Sequence, residues 1–231
     1  MRKVSLILLT VLFLISSSVY AQVDDDMTGA WYMYFWNTTI GESPFGFQGD
    51  VQYRNWNMIG DLEQLLLRAG ATYQPKNADI KFTLGYASIS TGEFGDGTDI
   101  KSENRIYQEA LIPQKIGNRF YITHRFRYEQ RWVENQDFRT RYRYNLFINV
   151  PLNKKEIERG SLYLAFYNEL FMNGELNIGS DQKVQYFDRN RTYFAIGYGL
   201  IDNLNIQMGM MRQSTVNWQK NQTQISLHHK F

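Results

Sequence analysis

Polar and apolar residues alternate along most of this chain, and this feature constrains the fold more than any other. In residues 118–133, Phe120 and Phe126 share one face, whereas Arg125 and Arg127 share the other. A period of two is typical of β-strands, because successive side chains of a strand point to opposite faces. Gly, Asn, Asp and Pro separate the alternating segments, and helical periodicity is convincing nowhere. The sequence therefore predicts an all-β fold.

Eleven segments carry the alternation. We predict strands at 28–39, 45–57, 62–74, 79–91, 103–113, 118–133, 137–150, 161–173, 187–201, 203–214 and 222–231. An even number of strands is expected when an antiparallel barrel closes with both termini on one side. Residues 28–39 are therefore predicted to be a plug or lid, which leaves ten strands, unless one strand is missed and the count is twelve.

Residues 1–21 are predicted to be a secretory signal peptide. A basic start precedes an apolar run from Val4 to Ile15, which is too short to span ~30 Å of hydrocarbon as a helix. A small-residue cleavage pattern ends at Ala21. The alternative is an N-terminal anchor helix. The predicted organisation is a signal peptide over 1–21 and a single barrel domain over 22–231.

Export and alternation together favour an antiparallel transmembrane β-barrel of 10–12 strands in a bacterial outer membrane. The alternative is an exported soluble barrel of the lipocalin type. In lipid, the apolar face points outward, the charged face lines the lumen, and closure removes unpaired strand edges. We therefore expect outer-membrane lipid as one partner. The last strand ends in Phe231 and resembles the signal read by the barrel-assembly machinery, which we expect as a second partner.

The connections between the strands differ in length and composition. The prolines are predicted to lie in alternate turns: Pro44, Pro75, Pro113 and Pro151. These turns are mostly short and are predicted to share the periplasmic side. The long polar connections 92–102 and 174–186 are then predicted to be external loops.

Charge and composition exclude several functions. Without Arg2 and Lys3, the mature chain has 23 basic and 23 acidic side chains, so we expect no nucleic-acid partner. The absence of Cys excludes disulfides, thiolate metal sites and cysteine nucleophiles. Two acidic groups are conceivable calcium ligands: Asp24–Asp26, which is better interpreted as a solvated linker, and Glu93, Asp96 and Asp99, which lack the spacing of a loop-type calcium site. We predict no metal site and no cofactor.

The candidate functional site is a charged lumen. Its predicted members are Arg54, Arg68, Glu103, Arg105, Glu109, Arg125, Arg127, Glu129, Arg131, Arg139, Arg141, Arg143, Glu169, Arg189 and Arg191. Arginine suits such a place because its planar fork binds carboxylates through two points and keeps its charge. Either Arg–Glu pairs fill and seal the narrow interior, or the lumen is a porin-like path or a cavity for a small polar or anionic solute. The predicted function is a structural, passive-transport or binding barrel.

The alternative function is a lipid-modifying enzyme, a hydrolase or an acyltransferase. A nucleophilic serine needs a base within hydrogen-bond reach. His124 is predicted to face lipid, and His229 lies at the periplasmic end of the last strand. His228 is predicted to face inward with no evident serine partner. We therefore predict no enzymatic activity.

Three segments carry a specific family resemblance: Glu-Asn-Arg at 103–105, His-Arg-Phe-Arg-Tyr-Glu-Gln-Arg at 124–131 and Asn-Glu-Leu-Phe at 168–171. With them, residues 28–231 resemble the family known as domain of unknown function 2490. The resemblance implies an exported outer-membrane barrel of the type found in Bacteroidetes. It implies no activity, and no catalytic residue can be carried over from it.

Overall fold

The computed structural model of this protein describes residues 28–95 and 97–231. The predicted signal peptide over 1–21 lies outside the described residues, and so do Asp24–Asp26 and Asp96. Within the described residues, no helix is long and apolar enough to cross a membrane.

The described chain folds into eleven strands that form one closed barrel. The strands are β1 (Gly29–Thr39), β2 (Phe45–Asn55), β3 (Leu62–Tyr73), β4 (Lys81–Gly92), β5 (Ile100–Ile116), β6 (Phe120–Val133), β7 (Arg139–Pro151), β8 (Leu162–Asn173), β9 (Phe187–Ile201), β10 (Leu204–Ser214) and β11 (Gln219–Lys230). This confirms the predicted all-β barrel and a strand number between ten and twelve.

The barrel closes through β1, which pairs antiparallel with β2 and parallel with β11. Tyr34, for example, lies opposite Val51 on one side and Leu227 on the other. All the other neighbouring strands pair antiparallel. The predictions of an even strand number and of a plug or lid over 28–39 are therefore wrong. A parallel ladder also pairs the backbone groups of both edges, so closure does not require an even number.

The two ends of the barrel differ. We call the end where β1 joins β2 and β3 joins β4 the turn end, and the end where β8 joins β9 the loop end. Pro44 and Pro75 lie in turns at the turn end. Pro113 lies within β5 and Pro151 is the last residue of β7, so the prediction that each proline occupies a turn is wrong for these two. Pro113 lies beyond Leu111, the last residue of β5 that pairs with β4, so it occupies an edge position of the sheet, where proline is tolerated. The long connection 174–186 lies at the loop end.

On most strands, the apolar side chains of one face point outward and the charged side chains of the other face point inward. Phe194 and Ile196 are 64% and 59% exposed, whereas Arg191 on the opposite face of β9 is buried. Aromatic rings pair across neighbouring strands on the outer surface, as do Phe166 and Phe194 at 4.9 Å between centroids. This distribution is the reverse of that in a soluble protein.

Two inward glycines leave room for tyrosine rings from the neighbouring strand. A β-carbon at Gly85 would overlap the Tyr107 ring, and one at Gly197 would overlap the Tyr163 ring. Tyr107 therefore lies flat against the wall, where the Arg127 guanidinium stacks on it at 4.4 Å.

Candidate functional site in the barrel interior

A dense set of ion pairs crosses the middle of the interior, and we call it the charge belt. It consists of six carboxylates and the nine arginines that lie within 4.0 Å of them. The carboxylates belong to Asp50, Glu103, Glu109, Glu129, Glu169 and Asp188; the arginines are Arg68, Arg105, Arg125, Arg127, Arg131, Arg141, Arg143, Arg189 and Arg191.

Glu129 is the centre of the belt and is only 1% exposed. Its carboxylate accepts hydrogen bonds from Arg141 Nη2 at 2.7 Å and from Arg143 Nη1 at 2.6 Å. Arg105 and Arg127 lie further away, at 3.7 and 3.8 Å. The register explains this arrangement, since Glu129 in β6 lies directly opposite Arg141 in β7.

Glu169 and Glu109 extend the belt on both sides of Arg125. Glu169 Oε1 accepts from Arg143 and, at 2.6 Å, from Arg125 Nη2. Glu109 Oε2 pairs with Arg127 Nη2 at 2.5 Å and lies 3.7 Å from Arg125 Nε. Each of these carboxylates therefore contacts more than one guanidinium group.

The belt continues toward the loop end through Glu103 and Asp188. Glu103 accepts from Arg105 Nε at 2.7 Å and from Arg131 Nε at 2.5 Å. Asp188 accepts from Arg141 Nη1 at 2.9 Å and from Arg189 at 3.2 Å. Arg141 therefore links Asp188 to the centre of the belt.

The structure places all fifteen predicted lumen residues on inward faces, and thirteen of them belong to the charge belt. Arg54 and Arg139 do not belong to it, because neither lies within 4.0 Å of a carboxylate of the described residues. Sequence reasoning missed Asp50 and Asp188. The alternation of β2 could have revealed Asp50, which shares the inward face with Arg54.

Arg54 has aromatic and amide partners instead of a carboxylate. Its guanidinium donates to Gln52 Oε1 at 2.6 Å and to Gln64 Oε1 at 2.9 Å. The same group lies 3.7 Å from the centre of the Trp31 ring, and Arg191 lies 4.8 Å from it. Two cationic groups therefore share one indole ring.

Two cavities lie on opposite sides of the belt. The larger has a volume of about 350 Å³, and its lining includes Asn37 and His228 close to the turn end. The smaller has a volume of about 60 Å³, lies nearer the loop end and is lined mainly by arginines. We call these the large cavity and the small chamber.

The sequence matches the family described as "Protein of unknown function (DUF2490)" over residues 28–224. The chain belongs to the DUF2490 family. The match begins just before β1 and ends within β11, so the DUF2490 region corresponds to nearly the whole barrel. The predicted resemblance is thereby confirmed. No curated protein and no solved structure matches the chain.

A serine–histidine pair lies in the large cavity of this DUF2490 barrel. Ser226 Oγ and His228 Nε2 are 2.9 Å apart, and the His228 ring stacks on Phe35. The prediction that His228 lacks a serine partner is therefore wrong. Ser226 and His228 are two positions apart and therefore share the inward face of β11, where the His228 imidazole can reach the Ser226 hydroxyl.

The other two histidines hydrogen-bond tyrosines. His124 Nδ1 lies 2.8 Å from the Tyr144 hydroxyl, and His229 Nδ1 lies 2.9 Å from the Tyr34 hydroxyl. Within residues 28–95 and 97–231, no group of three His, Asp or Glu side chains could hold a metal ion.

At the loop end, the turn after β6 is fastened to the start of β5. Glu134 accepts hydrogen bonds from the Ser102 backbone N–H at 2.9 Å and from the Ser102 hydroxyl at 3.2 Å. These bonds lower the pKa of the Glu134 carboxyl below its ordinary value of 4.5, and the backbone bond contributes most.

Proposed function

We propose that this chain is a bacterial outer-membrane barrel whose lumen is closed at the charge belt, and that it has a structural or binding role. The observation that carries the proposal is the reversed distribution of side chains. Leu84, Ile196 and Met208 on the outer face are each about 60% exposed, whereas Glu129 and its arginine partners are buried inside. Soluble monomeric proteins rarely expose large contiguous apolar patches.

Outer-membrane lipid is the proposed partner of this outer surface. Strands of 11–17 residues are long enough to cross a bilayer when tilted. We place the turn end in the periplasm and the loop end outside. The outward face of β11, with Leu227 and Phe231, is the surface that we propose the barrel-assembly machinery contacts.

Closure of the lumen is supported by the burial and the connectivity of the belt. Its carboxylates each contact at least one guanidinium group, and the two cavities lie on opposite sides of it. Six arginines but only three carboxylates line the large cavity. This surplus favours a small polar or anionic solute that enters from the turn end and does not pass through.

Location and embedding can be tested together. We expect the protein in outer-membrane fractions, with gel migration that changes on heating, as for closed barrels. Brominated lipids should quench the fluorescence of outward Trp132, which is 44% exposed, far more than that of buried Trp31. Trp132→Phe should therefore remove much of the quenching, and Trp31→Phe should not. Recovery as a soluble periplasmic protein would contradict the proposal.

The Ser226–His228 pair favours a hydrolase as the second candidate function. A serine hydroxyl next to an imidazole is the arrangement in which the base takes up the serine proton. No carboxylate of the described residues hydrogen-bonds His228, so a third orienting group is missing from the pair. A fluorophosphonate probe distinguishes the candidates: labelling that disappears in Ser226→Ala supports the hydrolase, and an unlabelled wild type rejects it.

A further inference from the structure

The small chamber combines a small volume with a strongly cationic lining. Eight arginines line it, together with Gln64, Leu66 and Phe171, and Glu103 is its one acidic lining residue among those described. About 10–15 Å³ of such space admits one water molecule, so a chamber of about 60 Å³ has room for about four to six water-sized groups. A tetrahedral ion with one central atom and four oxygens has this size.

The arginines around the chamber outnumber the carboxylates that neutralise them. Only five carboxylates of the described residues lie within 4.0 Å of any of these eight arginines, so the positive charges exceed the negative charges by three. Arg54 has no such carboxylate, and the nearest one to Arg191 is Glu169 at 4.0 Å. Buried charges without a counter-charge are costly.

We propose that the small chamber binds one tetrahedral oxyanion, inorganic phosphate or sulfate. Arginine guanidinium groups present N–H donors in a planar fork that matches the oxygens of such an ion. Arg54 and Arg191 border both the chamber and the large cavity, so the anion would supply the counter-charge that Arg54 lacks and a counter-charge closer to Arg191 than Glu169 at 4.0 Å. The chamber has no apolar extension for an acyl chain, which favours a free ion over a lipid headgroup.

The inference depends on the interior geometry alone and holds whether or not the barrel is embedded in lipid. It can be tested on the detergent-solubilised full chain, equilibrated with phosphate or sulfate, freed of excess ion and denatured. Ion chromatography should find one inorganic anion released per chain. Phosphate bound as a lipid headgroup stays esterified and would not be counted. Phosphate should also raise the unfolding temperature more than sodium chloride of equal ionic strength.

Arg54→Gln is the decisive variant, because it removes a charge that has no ion-pair partner and leaves every belt contact in place. We expect phosphate to bind Arg54→Gln at least about tenfold more weakly, because the variant loses one charge-assisted hydrogen bond to the ion. Arg139→Gln is the matched control: Arg139 is also buried without a carboxylate within 4.0 Å but does not line the chamber, so phosphate binding should be unchanged.

Several outcomes would overturn the inference. The first is a wild type that releases no inorganic anion and gains no stability from phosphate or sulfate. The second is phosphate binding by Arg54→Gln that equals that of the wild type. The third is an equal weakening of phosphate binding in Arg54→Gln and Arg139→Gln. Release of esterified phosphate only would show that a lipid headgroup occupies the site instead. If Arg54→Gln does not fold, Arg54→Lys keeps the charge but loses the fork, and the same weakening is expected.

Discussion

Removing the central carboxylate of the belt tests the proposed closure of the lumen. In Glu129→Ala, Arg141 would keep only Asp188, and Arg143 would keep only Glu169, as close carboxylate partners. Breaking a buried ion pair typically costs ~3–5 kcal/mol, because the remaining charge stays desolvated. Since both arginines retain one partner, we expect the lower end of that range, ~3 kcal/mol of unfolding free energy.

The assay combines unfolding and conductance. Urea unfolding from lipid vesicles gives the free energy for wild type and variant, and planar bilayers give the current. In a closed barrel, the wild type should conduct little, and Glu129→Ala should be less stable and should leak. Glu129→Gln keeps a hydrogen-bond acceptor without the charge, so its stability should lie between that of the wild type and that of Glu129→Ala.

Glu156→Ala is the control for this experiment. Glu156 lies in an exposed turn, where its carboxylate is 3.6 Å from Lys115 Nζ, and such pairs contribute little to stability. Its stability and conductance should therefore equal those of the wild type. A wild type with steady, salt-dependent conductance and a Glu129→Ala variant of unchanged stability would refute the closed lumen, because water would then already solvate the belt.

Three further predictions concern the outer face, the seam and the loop end. Ile196→Arg should cost ~2–4 kcal/mol of unfolding free energy in lipid, because Ile196 faces outward near the middle of β9. Gln207→Arg on an inward face should cost far less, and the reverse order would invert the assigned faces. The double variant Tyr34→Cys, Leu227→Cys should form a disulfide between the parallel strands β1 and β11, in a chain that otherwise lacks Cys. A folded barrel without this disulfide would contradict the register of β1 and β11. By NMR titration, the pKa of the Glu134 carboxyl should lie below 4.5. The contact with Ser102 is then present at neutral pH and is lost as the pH falls through that pKa. A midpoint at 4.5 would refute the contact.

The alternation of residues predicted most of the barrel because burial on one face fixes strand and register together. Predicted strand 187–201 has the observed bounds of β9, and Arg189 and Arg191 were correctly assigned to its inward face. The charged faces of β6 and β7 were equally readable, since charged residues occupy every second position from Arg125 to Arg131 and from Arg139 to Arg143.

The first strand could not be read in this way. Trp31 and Met33 on the inward face of β1 are as apolar as Tyr32 and Tyr34 on the outward face. Without a polar face, the sequence does not distinguish a wall strand from a plug or lid. Its parallel pairing with β11 depends on closure of the whole barrel and leaves no local signal.

Two details of the interior could not be predicted from the sequence. One depends on a break in the regular alternation, and the other depends on side-chain conformation. Asp188 lies beside a register shift between Phe171 and Met172 of β8, so period-two counting does not assign its face. The contact between Ser226 and His228 depends on the rotamers of both side chains and on the cavity around them.

The odd strand number and the surplus of positive charge are connected through Trp31. Strands β2 to β11 could close as ten antiparallel strands, since β2 is antiparallel to β1 and β1 is parallel to β11. Inserting β1 places Trp31 between Arg54 of β2 and Gln224 of β11. The centre of the indole ring lies 3.7 Å from the guanidinium group of Arg54, which has no carboxylate of the described residues within 4.0 Å, and 4.8 Å from that of Arg191, whose carboxylate partner Glu169 lies at 4.0 Å. The indole Nε1–H donates to Glu63 at 3.2 Å. Trp31 therefore lies beside Arg54 where other arginines of the interior have a carboxylate, and it stabilises the charges of Arg54 and Arg191 without neutralising them.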